Sequence, residues 1–256
     1  VENTKGEADA GQAEINVHYA DALRMGDVHV MVKNAVKEIA FLNDRAITFL
    51  AKWHHDYAGS SSHIHQSLRR ADGEAVFFDP AQPHSMSKMM QSYLAGLLTY
   101  ADDTTYFLAP YVNSYKRFKA GTFAPTKAIW SIDNRTAGYR VVAENSQNIR
   151  VECRVGGSDL NPYLALASQL AAGLKGIEDN LTLEAEFTGD AYQADAARSI
   201  PASLRDATVA LDQSKMLRAA MGDAVVDHYV RAARWEQEDF DGKVTDYEVR
   251  RGFERA

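Results

Sequence analysis

The chain has 256 residues, a formal net charge of −7 and 46% hydrophobic residues, enough for one large domain or two small ones. The acidic balance argues against nucleic acid as the main partner, because phosphate binding needs a basic footprint. The single cysteine, Cys153, excludes an internal disulfide; with no apolar run near the roughly 20 residues that span a bilayer, no membrane role and no visible signal peptide, a cytoplasmic protein is expected.

The chain opens on "VENTKGEADAGQAE", acidic and without methionine, which reads as a fragment of a longer protein. From Val28 to Leu42 apolar residues recur at three and four, predicting an amphipathic helix. "AITFLAKW" has the length and apolarity of a short strand. "AGSSSHIHQSL" passes from a small-residue turn into alternation, and "EAVFFD" can pair with it as a hairpin across Asp72-Gly73. "MSKMMQSYLAGLLTYA" predicts a helix with Ser85 as its cap. The long stretch "APYVNSYKRFKAGTFAPTKAIW" lacks strong periodicity, the usual mark of a functional loop. "TAGYRVVAE" and "IRVECRV" alternate as two strands. "NPYLALASQLAAGLKGIED" predicts a helix opened by Pro162, and "KMLRAAMGDAVVDHYVRAARWEQEDF" another long one. Hairpin strands with helices between them predict an α+β domain on a mostly antiparallel sheet.

In "IRVECRV" the residues Ile149, Val151, Cys153 and Val155 form one face, and Arg150, Glu152 and Arg154 the other. That polar face fits either a surface ion-pair network or the floor of a site for charged ligands. Glu7 and Glu14 flank a glycine turn that can bring both to one place, although alone they read as solvated glutamates. His63 and His65, two apart, share a strand face. Oxygen donors with one or two imidazoles suit Mg²⁺ or Mn²⁺ better than zinc. Arg117, Arg135, Arg140, Arg150 and Arg154 fall within a short segment, and guanidinium forks match carboxylate and phosphate oxygens.

"EADAGQAE", "GSSSHIHQSL", "NSYKRF…GTFAPTKAIWSIDNRTAGYR" and "IRVECRVGGSDLNPYLALASQLAAGL", in this order and spacing, resemble the motifs of the glutamine synthetase catalytic domain, and "IPASLRDATVALDQSKML" continues the match. The resemblance implies residues 1–256 to be one catalytic domain, its first catalytic strand and the family's small N-terminal β-rich domain absent from the chain. It implies a ligase that uses ATP to phosphorylate the γ-carboxylate of glutamate and lets ammonia or a small amine displace the phosphate, working as a ring-shaped homo-oligomer. By motif position, Glu7 and Glu14 resemble ligands of one divalent metal, and His63 and Glu152 ligands of a second. Glu2, His65, Ser67, Arg135, Arg140 and Arg150 resemble ATP contacts, Arg135 also serving catalysis. Gly59, Arg117 and Arg154 resemble the glutamate-binding residues.

The sequence departs from the family pattern at several points. Thr122 and Phe123 stand where ammonia-using members carry tyrosine and a flap glutamate. Ala58 replaces an asparagine and Gln147 a lysine. A phenylalanine cannot accept the protons of a cationic ammonium, so the sequence favours a larger amine. The alternatives are a glutamine synthetase whose acid is supplied differently, and a non-catalytic fragment or family member that serves in assembly. If the reading frame begins at Val1, so that the early strand is missing, no ligase activity is expected.

Overall fold

The computed structural model describes residues 1–255. Its first element is a hairpin of β1 (Asn3–Gly6) and β2 (Ala13–Asn16), paired antiparallel with Lys5 opposite Glu14. It forms a two-stranded sheet of its own, and β1 is exposed along its length. The main sheet has four strands in the order β3 (Ile64–Gln66), β6 (Arg150–Cys153), β5 (Tyr139–Val142) and β4 (Trp130–Ile132). β6 pairs antiparallel with both β3 and β5, so the alternating segments lie side by side as expected. β4 adds an unanticipated edge strand, parallel to β5.

The apolar face of the sheet is the core face. Tyr139, Val141, Val151 and Cys153 are fully buried there. The same core takes in residues of α2 (Lys88–Thr99), α3 (Ala101–Leu108), α5 (Pro162–Glu178), α6 (Leu204–Gln213) and α8 (Asp223–Asp241). The closest helix crossing is α2 on α5. A Cβ on Gly176 would sit 2.6 Å from the Gly96 Cα, and a Cβ on Gly96 would lie 2.8 Å from the Gly176 nitrogen. Neither backbone has room to move, because burying a tight interface leaves no slack.

Several local expectations are corrected. The helix cap is Ser87, whose side chain accepts from the Met90 N–H; Ser85 lies in the preceding 3-10 turn with a φ of +55°. The segment 215–240 is two helices, α7 (Lys215–Met221) and α8, broken at Gly222 with a φ of +88°. "AITFLAKW" is irregular: its backbone is held by side chains, Ser158 Oγ donating to the Phe49 carbonyl and Asn113 bonding both the N–H and the C=O of Lys52. The hairpin at Asp72-Gly73 turns as expected but keeps a single bridge, Arg69 to Ala75. Inside the irregular 109–130 stretch, one short helix, α4 (Val112–Tyr115), forms. The first helix, α1, runs Ala22–Leu42, six residues longer than its periodicity marks, and buries only Gly26. It meets α5 through that glycine, over which the Tyr163 ring lies, and through a 2.7 Å bond from the Tyr163 hydroxyl to Asp27. A final helix, α9 (Asp246–Arg255), is exposed throughout. No helix among the described residues is long and apolar enough to cross a membrane.

The Gly96–Gly176 contact yields a direct expectation. Gly176→Ala should lower stability by about 1–3 kcal/mol, the usual cost of overpacking, in urea denaturation followed by far-UV circular dichroism. Gly189→Ala is no control, because its φ is positive; Gly252→Ala, inside α9 with open space around it, should not lower stability and can raise it by up to about 1 kcal/mol through helix propensity.

Candidate active site

The register of the main sheet sets one polar row. His65 on β3 lies opposite Glu152 on β6, Glu152 lies opposite Arg140 on β5, and Arg140 lies opposite Ser131 on β4. Because side chains alternate, all four point away from the core. The chain just before β3 continues the pairing, with the Ser62 N–H donating 2.9 Å to the Gly156 carbonyl, so His63 shares the face with His65.

Glu152 is the centre of this row. It is 3% exposed. Arg154 Nη1 donates to Oε1 at 2.8 Å and Arg140 Nη1 to Oε2 at 3.0 Å. His63 Nδ1 lies 3.2 Å and His65 Nε2 3.6 Å from Oε1. Burial pushes the carboxyl up, but the His63 hydrogen bond and the charge of Arg154 outweigh it and hold Glu152 well below the usual range. Burial lowers His63, and takes His65 down to about 4, so both imidazoles are neutral at pH 7. Arg150 Nε donates 3.2 Å to His65 Nδ1, which fixes that ring's tautomer.

The loop between β4 and β5, residues 133–138, is short for a parallel connection, which usually needs a dozen residues or more. Asn134 holds it: its side-chain oxygen accepts from the N–H and hydroxyl of Thr136, at 3.0 and 2.7 Å. Arg135 projects from this loop, exposed, while its carbonyl accepts from Arg154 Nε at 3.1 Å. Asp133, not anticipated, braces Arg140 from the opposite side to Glu152.

Arg117 is different from the other arginines. It is 2% exposed and donates Nη2 to the backbone carbonyls of Arg154 and Val155. Burial lowers its pKa to about 10, leaving it charged at neutral pH. Its side-chain stem lies under Gly59: a Cβ there would overlap Arg117 Cγ and sit 2.6 Å from the Ala51 carbonyl. Only glycine fits between them.

Glu7 and Glu14 do meet across the hairpin. Hydrogen bonding with Glu14 raises Glu7; for Glu14 burial is outweighed by bonds from Glu7, Asn16 and Lys5, and its pKa is lowered. Lys5 Nζ sits 3.1 Å from Glu14 and 3.6 Å from Glu7, an ammonium answering two crowded carboxylates. Two like charges at one place, with a cation already drawn to them, form a donor set that a divalent ion fits. The ionised Glu152 beside a neutral His63 is a second such set. No hydrogen bond or ion pair joins the two sets among the described residues. Glu2 extends β1, its N–H donating 2.7 Å to the Asn16 carbonyl, about five strand residues from Glu7. Ser67 is exposed just after β3.

The family model described as the glutamine synthetase catalytic domain matches residues 1–252. The chain belongs to the glutamine synthetase family. It is 45% identical over 255 residues to the γ-glutamylethanolamide synthetase GlnA4 of Streptomyces coelicolor, covering 100% of this chain and 54% of that protein. It is 36% identical over 253 residues to a glutamate–isopropylamine ligase of a Pseudomonas species, covering 98% of this chain and 55% of that one. A solved GmaS/ADP complex superposes with a TM-score of 0.90 at 30% identity, over 98% of this chain and 59% of that chain. The chain therefore spans a little over half the length of these relatives.

The site geometry makes Glu152 a keystone whose loss can be measured. Glu152→Ala should cost about 3–5 kcal/mol, because it strands Arg140 and Arg154 without their shared carboxylate; chemical denaturation checks this. The double change Glu152→Ala with Arg140→Ala should cost less than the sum of the two single changes.

Proposed function

We propose that the full-length protein is an ATP-dependent ligase that joins the γ-carboxylate of glutamate to a small amine, with ammonia the poorer acceptor. What carries this reading is the residue at the acceptor end. Phe123, at the motif position of the flap glutamate, is 58% exposed, on a loop held by a 3.1 Å bond from the Tyr192 hydroxyl to the Ala124 carbonyl. The names of the two relatives, a γ-glutamylethanolamide synthetase and a glutamate–isopropylamine ligase, support an amine acceptor.

In the first step a γ-carboxylate oxygen of glutamate attacks the γ-phosphorus of ATP; the new P–O bond forms as the bond to ADP breaks. In the second, the amine nitrogen attacks the acyl carbon, the C–N bond forms and phosphate leaves, taking up the amine's proton. Both substrates bring negative charge to one place, so positioning and charge neutralisation do most of the work. Arg140 and Arg150, with Glu2, His65 and Ser67, bind the nucleotide. Arg135, on its taut loop, reaches the phosphoryl group in transfer. Arg154 and the Gly59 backbone hold glutamate, and Arg117 supports both from beneath. Glu7 and Glu14 would hold one divalent ion, Mg²⁺ or Mn²⁺, and His63 and Glu152 another. Such ions, when bound, screen the phosphate oxygens as Lewis acids. The protein works in the cytoplasm as a homo-oligomeric ring.

A carboxylate at the acceptor position favours a cationic ammonium, whereas an apolar ring favours an alkyl chain. With glutamate and ATP, phosphate release from the full-length protein should be faster with ethanolamine or an alkylamine than with ammonia. Phe123→Glu should move the ratio of kcat/KM values toward ammonia by about tenfold, roughly 1.4 kcal/mol of transition-state binding. A preference for ammonia over every amine tested would overturn the acceptor assignment.

A further inference from the structure

The loop from Lys52 to Ser60 carries Gly59, which packs on the Arg117 side-chain stem. Its neck is closed. The Ser60 N–H donates 2.8 Å to the Ala51 carbonyl, Lys52 Nζ donates to the Tyr57 carbonyl, and Asn113 grips both backbone groups of Lys52. The limb that carries Gly59 is held from outside by the β1–β2 turn. Asp9 Oδ2 accepts from the Ala58 N–H. Gln12 Nε2 donates 3.1 Å to the Gly59 carbonyl and lies 3.4 Å from Ser60 Oγ.

Asp9 and Gln12 sit at the tip of the turn whose two feet are Glu7 and Glu14. The turn is closed by bonds of 3.0 Å from the Glu7 N–H to the Gln12 carbonyl and from the Gln12 N–H to the Asp9 carbonyl. Among the described residues the hairpin strands pair only with each other, and a two-stranded hairpin is marginal on its own in water. At its feet two carboxylates crowd each other, with one lysine between them. A divalent cation bound there would relieve the repulsion and stiffen the turn. A stiff turn keeps Asp9 and Gln12 in register with Ala58 and Gly59, and so keeps Gly59 seated over Arg117.

We propose that this turn is a brace that couples cation binding at Glu7 and Glu14 to the order of the glutamate loop, with Asp9 and Gln12 as its positioning residues. The coupling rests on the metal and glutamate roles proposed above. Because binding couplings are reciprocal, glutamate raises cation affinity by the same factor by which the cation raises glutamate affinity.

Hydrogen exchange of the full-length protein tests the brace without turnover. Addition of Mn²⁺ alone should slow exchange of the Ala58 amide about tenfold in the wild type. The slowing should disappear in Asp9→Ala and return in Asp9→Asn, which keeps an acceptor oxygen. Equal slowing in wild type and Asp9→Ala, or none in the wild type, overturns the brace. In calorimetry, Mn²⁺ should tighten glutamate binding several-fold in the wild type and by less than twofold in Gln12→Ala. Gln12→Ala should also raise the KM for glutamate several-fold with the KM for ATP within twofold; equal changes in both would mark a general structural role and overturn it. If the protein turned over no glutamate at all, the ligase reading would fall, while the exchange result would still decide the brace.

Discussion

A negative charge at a site only 3% exposed is tolerated only when it is paired and hydrogen-bonded. Glu152 meets that condition with two guanidinium groups and an imidazole, and the demand runs through the sheet. Arg140 must stand on the next strand at the same register, Arg154 two residues along the same strand, and His63 and His65 across the other edge. A slip of one residue would carry Glu152 into the core and Val151 onto the site. The polar row therefore locks the register as firmly as the apolar face does. The same interaction that makes the sheet unique also assembles the charged row of the candidate site.

The five arginines show how one side-chain type divides into separate roles by depth. Arg117 lies deepest and turns Nη2 onto two backbone carbonyls, while its buried Nε has no hydrogen-bond partner among the described residues. Arg140 and Arg154 share a buried carboxylate and are held at fixed angles. Arg150 orients an imidazole. Arg135, at the surface, makes no side-chain hydrogen bond or ion pair among the described residues, while its carbonyl anchors Arg154. Composition alone makes these residues equivalent; burial distinguishes them.

The alternation of "IRVECRV" made its strand and its polar face legible, and the spacing of His63 and His65 did the same for β3. The motif order carried the family. Other features left no local trace. β4 has three residues and takes its identity from its neighbours. The break at Gly222 is hidden because apolar spacing resumes on both sides of it. "AITFLAKW" has strand composition but spends its backbone groups on Ser158 and Asn113, far along the chain. Asp9 and Gln12 escaped notice for the same reason: their partners are main-chain atoms of residues 58 and 59, which no side-chain pattern can announce. α1 shows the opposite error, since its apolar stripe predicts a covered face while Met31, Phe41 and Leu42 stand mostly exposed.

The parallel pair β4–β5, joined only by residues 133–138, imposes a constraint of another kind. Surface loops ordinarily absorb insertions and deletions during divergence. This one cannot, because any added residue would let the reach of Arg135 drift and release Arg154 from its carbonyl anchor. Its length is set by the bond that ties the Arg135 carbonyl to Arg154, a surface turn dimensioned by a contact beneath it.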